Sequence, residues 1–145
     1  MAVESAEGFT IRVVDWASEE KKLRAVRVAV FVVEQNIPEE LEWDEFDALS
    51  VHALAQDRDG VPIGCGRLLP DGHIGRVAVL SDWRGQGVGA ALLADAFGRF
   101  WERGEHSVGL GVDAASDTGA FRLYERAGMT PALGWVVYEK PLGAG

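Results

Sequence analysis

Apolar residues fall in short runs broken by turn residues, with two longer stretches at helical spacing. Phe9 to Trp16 reads as a first strand. Ser18 is the predicted N-cap of the helix that follows, with Glu19 and Glu20 suited to its first turn. Leu23, Val26, Val30 and Val33 then form a helical stripe. Residues 34–47 break the pattern and predict an acidic, irregular stretch with a short helical turn. Val51 to Gln56 is strand-like, Asp57-Arg58-Asp59-Gly60 is a turn, and Val61 to Leu69 returns as a strand. Pro70-Asp71-Gly72 turns again into the apolar run Ile74 to Leu80. Val88, Leu92, Ala96 and Phe100 repeat every four residues and predict a helix from about Gly87 to Arg103, closed by Gly104. Ser107 to Asp113 is a strand, and Thr118 to Ala127 a short helix stopped by Gly128. Thr130 to Leu133 and Trp135 to Pro141 finish as strand material. The order β-α-(α)-β-β-β-α-β-α-β predicts an α/β (α+β) fold: a mixed sheet flanked by helices, with a strand–helix–strand crossover in its middle.

Between Leu80 and the long helix lies Arg84-Gly85-Gln86-Gly87-Val88-Gly89. A strand, a Gly-rich turn and a helix start aim unpaired backbone N–H groups and the positive end of a helix dipole at one place, which suits phosphate. Three readings compete. One is a plain tight-turning loop in a glycine-rich chain. Another is a dinucleotide fingerprint, since Gly85, Gly87 and Ala90 satisfy G-x-G-x-x-G/A and Asp113 ends the next strand. Its context disagrees: the turn does not follow its strand directly, and an antiparallel meander precedes it. The third takes Arg84, Gly87 and Gly89 as R-x-x-G-x-G.

The chain has 145 residues and predicts one domain, 1–145 with a core of about 9–142, large enough to bury roughly 70% of its unfolded surface. Its net charge of −9 argues against a nucleic-acid or anionic-membrane surface and is compatible with a cationic substrate. A phosphate site in so acidic a chain needs N–H groups or placed arginines, for which Arg76, Arg84 and Arg122 are candidates. No apolar run approaches a membrane span, Met1 to Gly8 lacks the basic and apolar regions of a signal peptide, and Cys65 is the sole cysteine. These features predict a cytoplasmic protein. His52, His73 and His106 form no metal pattern, and no metal is expected.

R-x-x-G-x-G resembles the acetyl-CoA-binding motif of the GNAT superfamily of N-acetyltransferases. Arg76-Val77-Ala78-Val79 looks like the family's preceding strand. Ala120-Phe121-Arg122-Leu123-Tyr124-Glu125-Arg126-Ala127-Gly128-Met129 resembles its later A-x-x-x-Y-x-x-x-G-F element, with Met129 in place of the aromatic. Val30-Phe31-Val32-Val33-Glu34-Gln35 and Asp44-Glu45-Phe46-Asp47 resemble the ElaA-like branch, although Trp135-Val136-Val137-Tyr138 lacks the histidine expected there. The resemblance implies a mostly antiparallel sheet of six to seven strands, about four flanking helices and a parallel pair in the middle that splays at a bulge.

It also implies an acetyl-CoA-dependent N-acetyltransferase using direct attack in a ternary complex. Backbone groups of Val77, Ala78 and Val79 would pair with the pantetheine arm. An N–H near Val79 or Leu80 would polarise the thioester carbonyl. Gly85, Gln86, Gly87, Val88, Gly89 and Ala90 would cradle the diphosphate, and Arg84 would add a contact or brace the loop. Tyr124 would protonate the departing thiolate. The acceptor, a small-molecule or protein amine, is protonated at neutral pH. With a pKa of ~10.4, about one amine in 2,500 is neutral at pH 7, so a base is needed. Glu34 leads as that base, ahead of Asp113 and His73. Residues 34–47 carry seven acids, which read equally as an acidic lip for a cationic amine or as a solvated face. Cys65 is expected to pack rather than react, and Trp43 and Trp135 could pack or line the acceptor pocket. A non-catalytic acetyl-CoA sensor and a nicotinamide-dependent oxidoreductase are the alternatives, and a homodimer is left open.

Overall fold

The computed structural model describes residues 3–4, 8–111, 123–132 and 137–142. Eight strands form one sheet: β1 (Val3–Glu4), β2 (Phe9–Asp15), β3 (Val51–Asp57), β4 (Pro62–Leu68), β5 (His73–Val79), β6 (Ser107–Gly111), β7 (Thr130–Ala132) and β8 (Val137–Pro141). Their spatial order is β1-β2-β3-β4-β5-β6-β8-β7. All neighbours are antiparallel except β5 and β6. The predicted mixed sheet is present, enlarged by the two-residue β1, which is too short to leave a periodic signal. The antiparallel run from β1 to β5 is not the doubly wound parallel sheet that a dinucleotide fingerprint serves.

Helix α1 (Trp16–Arg27) starts earlier than predicted. The Asp15 carboxylate caps it by accepting the Ser18 N–H at 2.7 Å, so Ser18 lies inside the first turn rather than at the cap. The helix runs on as a π-helical segment, Val28–Glu34, in which the Gln35 N–H donates to the Val30 carbonyl five residues back. That wider winding takes Val33 off the buried stripe. Leu23, Val26 and Val30 are buried, whereas Val33 is 70% exposed. The acidic stretch forms two single turns, α2 (Glu39–Glu42) and α3 (Phe46–Leu49). Helix α4 (Val88–Glu102) occupies most of the predicted span, and residues 123–126 are helical.

The sheet separates two apolar layers. Ala53, Ala55, Ile63 and Ile74 face α4 through Val88, Leu92, Leu93, Ala96 and Phe100. Leu54, Cys65 and Ala78 face α1 through Leu23, Val26 and Val30. Because β3 and β4 are covered on both sides, their apolar runs are nearly continuous. Gly64 of β4 allows α4 its close approach: a Cβ there would lie 3.0 Å from Val88 Cγ1 and 3.3 Å from Leu92 Cδ1.

Candidate active site

Strand β5 carries a bulge. Cys65 faces Ala78 and Arg67 faces Gly75, so two steps on β4 oppose three on β5. The extra residue is absorbed at Arg76, whose φ is +51°. A left-handed backbone costs a non-glycine residue about 1–2 kcal/mol. The bulge reverses the phase of the strand. Before it, Leu69 donates to His73 O at 2.8 Å, so odd-numbered residues of β5 bond to β4; after it, Leu80 donates to Ile63 O at 2.9 Å, so even-numbered ones do. The side chains agree, since Ile74 faces α4 and Ala78 faces α1. Alternation therefore turns the Val79 amide and carbonyl away from β4, toward β6. Of the two amides considered for the thioester carbonyl, Leu80 is spent inside the sheet.

Among the described residues β5 and β6 pair only at His73–Gly109 and Ile74–Leu110. A 3-10 turn, Ser81–Trp83, then leads to the Gly-rich loop. Gly85 and Gly87 are left-handed, with φ of +79° and +89°, and a Cβ on either would project into open space. Gly87 is the N-cap of α4, and among the described residues no side chain caps that end. Ala91 makes the first intrahelical bond shown there, to Gly87 O at 3.0 Å, and the amides of Val88, Gly89 and Ala90 lie ahead of it. Backbone donors, open space and a helix dipole thus converge beyond the end of β5, an arrangement that fits a diphosphate. Gly89 has a second reason to lack a side chain: a Cβ would lie 2.8 Å from Leu123 Cδ2. The close contact seats residues 123–126, including Tyr124, against the start of α4.

Arg84 braces the loop. Its Nε donates to Val79 O at 3.0 Å, and its two terminal nitrogens donate to the two oxygens of Glu34 at 2.5 and 2.6 Å. Glu34 closes the π-helical segment, a type of irregularity common at functional sites. Gln86 also turns inward on the loop, donating to Asp82 O at 3.0 Å.

Beside the bulge lies a closed ring of three arginines and three carboxylates. Arg27 Nε donates to Glu42 Oε2 at 2.7 Å and its Nη1 to Asp47 Oδ1 at 2.6 Å. Arg67 Nη1 reaches Asp47 Oδ1 at 3.1 Å and Asp44 Oδ1 at 2.7 Å. Arg76 completes the circuit, with Nε 3.0 Å from Glu42 Oε2 and Nη2 3.5 Å from Asp44 Oδ2. Burial pushes the Asp47 carboxyl up, but hydrogen bonds from Arg27, the Asp44 amide and Arg67 outweigh it and hold the pKa below the ordinary carboxylate range. The Arg27 and Arg24 guanidinium carbons lie 5.0 and 4.3 Å from the Trp43 ring centroid. Trp43 is therefore engaged in packing. Glu42, Asp44 and Asp47 are structural partners rather than parts of a free acidic lip, while Glu39, Glu40 and Glu45 remain exposed. Arg76 likewise belongs to the ring and not to the Gly-rich turn.

The sequence-predicted residues thus divide. Val77–Val79, Arg84, Glu34 and the Gly85–Ala90 turn are brought together, and Tyr124 lies on the adjoining helical turn, buried in the α4 core. His73 sits at the far end of β5, exposed and 3.0 Å from Asp71, remote from the turn. Cys65 is buried, and burial pushes its thiol up to about 12, so it is inert. Asp113, Arg122 and Trp135 lie outside the described residues. Among the described residues, no His, Cys, Asp and Glu group is arranged to hold a metal, and no helix is long and apolar enough to cross a membrane.

The acetyltransferase (GNAT) family profile matches residues 12–129. The chain belongs to the GNAT acetyltransferase family. The GNAT chain is 41% identical over 71 residues to the uncharacterized N-acetyltransferase YjcF of Bacillus subtilis (strain 168), a match covering 47% of this chain and 50% of YjcF. It therefore spans half the length of that relative. A second Bacillus subtilis protein named as an acetyltransferase is 35% identical over 121 residues, covering 79% of this chain and 69% of that protein. Among solved structures, a Lactobacillus plantarum protein named as an N-acetyltransferase superposes with a TM-score of 0.78 at 26% identity, over 94% of this chain and 99% of that one. An acyl-CoA N-acyltransferase from Pseudomonas aeruginosa gives 0.75 at 27% identity, over 91% and 99%.

Proposed function

We propose that this GNAT protein is an acetyl-CoA-dependent N-acetyltransferase that moves the acetyl group to a primary amine by direct attack in a ternary complex. The observation that carries the reading is the run from the bulge to α4. It offers an outward amide at Val79, two left-handed glycines with open space above them, and an uncapped helix start. Acetyl-CoA supplies the activated acyl group as a thioester. The chain's part is to bind and orient. Amides of the Gly85–Ala90 turn hold the diphosphate, each charge-assisted bond contributing roughly 1.5–3 kcal/mol. The outward edge of Val77–Val79 lines the pantetheine arm, and the Val79 N–H donates to the thioester oxygen as negative charge develops there. A C–N bond forms as the C–S bond breaks.

Three proton transfers balance the step. Glu34 takes one proton from the ammonium, freeing the lone pair that attacks, with Arg84 fixing the carboxylate's orientation. The Tyr124 hydroxyl gives its proton to the departing thiolate, and the second proton shed by the acylated nitrogen restores the tyrosine. With ordinary values of about 10 for tyrosine and 8.5 for a thiol, the transfer to the thiolate is mildly uphill and depends on close placement. The acceptor is a small-molecule or protein amine, and the exposed Glu39, Glu40 and Glu45 favour a cationic one. The test is a panel of amines, read by thiol release and by the mass gain of one acetyl group. Turnover is expected with at least one amine, and Y124F should lower kcat by about 100-fold or more while leaving acetyl-CoA affinity nearly unchanged. Tight acetyl-CoA binding without turnover on any amine would make the protein a sensor. Wild-type kcat in Y124F would remove the tyrosine from the chemistry.

A further inference from the structure

The ring of charges has no part in that mechanism, yet one of its members is the bulge residue itself. Arg76 is pinned at both ends. Its carbonyl accepts from the Cys65 thiol at 3.6 Å. Its guanidinium lies against the Glu42 carboxylate at 3.0 Å and donates to the Glu42 carbonyl at 3.2 Å. Glu42 is only 2% exposed and is fixed in turn by Arg27 at the end of α1. The carboxylate therefore holds two guanidinium groups, one from a helix and one from the bulge.

The bulge decides which way the Val79 amide points. Had β5 kept the phase it has at His73, odd-numbered residues would continue to bond to β4. Val79 would then take the place opposite Ile63 that Leu80 occupies, and its amide would be spent inside the sheet. Glycine would adopt the required backbone without strain, but the sequence places arginine there. The side chain must therefore stabilise the left-handed conformation, and its only described partners are the acids of residues 42–44.

We propose that Arg76 is a positioning residue for acyl transfer. Clamped by Glu42 and Asp44, it locks the bulge that turns the Val79 amide toward the acyl donor. Through the ring it couples that amide to α1 and to the segment of residues 42–47. The inference rests on the acetyl-CoA reading above, and the two separate experimentally. Affinity for coenzyme A comes mainly from the diphosphate cradle, which the clamp does not touch. The hydrogen bond to the thioester oxygen is what the clamp controls.

The experiment is calorimetric titration with coenzyme A and with acetyl-CoA labelled with 13C at the carbonyl, the bound carbonyl shift being read by NMR. Wild type, R76Q and R76K are compared. The wild-type carbonyl should move downfield on binding. R76Q should bind coenzyme A within about three-fold of wild type but lose at least about half of that carbonyl shift, and kcat on any accepted amine should fall on the order of 10–100-fold. R76K keeps the charge with a poorer fork and should recover part of the shift. Should R76Q not fold, an undiminished shift in R76K would overturn the proposal. A wild-type shift in folded R76Q overturns the clamp alone. If the wild-type chain binds neither compound, the acetyl-CoA reading falls and takes the clamp with it.

Discussion

His52 shows how closely the charge ring is fitted into the fold. It is 1% exposed, its Nε2 lies 2.8 Å from the Asp47 carbonyl, and its ring centroid is 5.4 Å from that of Trp16. A carbonyl only accepts, so Nε2 carries the hydrogen. Burial lowers the pKa below its ordinary 6.5, and the bond to Asp47 offsets only part of that effect. The neutral ring is the folded form, while the unfolded chain takes up a proton as pH falls past about 6.5. Folding stability should therefore decline from about pH 6.5 downward, toward the depressed folded-state value. Asp47, whose folded pKa is also depressed, adds a second decline below about pH 4 as its carboxylate is protonated. H52Q keeps an N–H donor and cannot be charged, so it should flatten the upper decline. Thermal melts between pH 5 and 8 check this, and an unaltered slope in H52Q would contradict it. The ring members were partly legible in the sequence. Arg27 stands four residues after Leu23 and three before Val30, on the apolar stripe, and a charge there requires a partner. Nothing local says that the partners are Glu42 and Asp47, because the ring closes across chain separations of 15 and 20 residues.

At the scale of elements, the Gly-rich turn and α4 test the binding account. Gly87 is left-handed, so any side chain there carries strain of about 1–3 kcal/mol, yet its Cβ would enter open space. G87E should therefore fold with a modestly lowered melting temperature. Its carboxylate would stand in the space proposed for the diphosphate, and calorimetry should show acetyl-CoA affinity lost. Wild-type affinity in G87E would rule out this turn as the cradle. Strands β2 to β6 and helix α4 could be read from the sequence because period-2 or continuous apolar runs and a four-residue repeat mark them directly. Three features could not. The π-helical winding of Val28–Glu34 leaves side chains that look like a normal stripe until Val33 faces solvent. The start of α1 offered Ser18 as the obvious cap, although Asp15 was three residues away and equally suited. The bulge, which the family resemblance implied, leaves no signal in the residue pattern, since its left-handed residue is Arg76 and not a glycine.

Across the whole molecule, segments far apart in sequence meet at one end of β5. Glu34 comes from the extension of α1, Val79 from the sheet, Arg84 and the glycines from the loop, and Tyr124 from the turn seated on Gly89. The R-x-x-G-x-G spacing made the left-handed turn at the start of α4 legible, and its glycines marked that turn more surely than any charged residue did. The acidic stretch was less legible, because composition cannot tell a solvated carboxylate from one buried against arginine. Membership of the GNAT family rests on the match over residues 12–129. The central claim is that main-chain amides at the end of β5 and at the start of α4 hold the thioester and the diphosphate. Backbone amide NMR during titration of the 15N-labelled protein with acetyl-CoA tests it most directly. Saturable shifts largest at Val79 and Val88–Ala90 are the predicted result. Saturation with those amides unmoved, and the changes elsewhere, would contradict it.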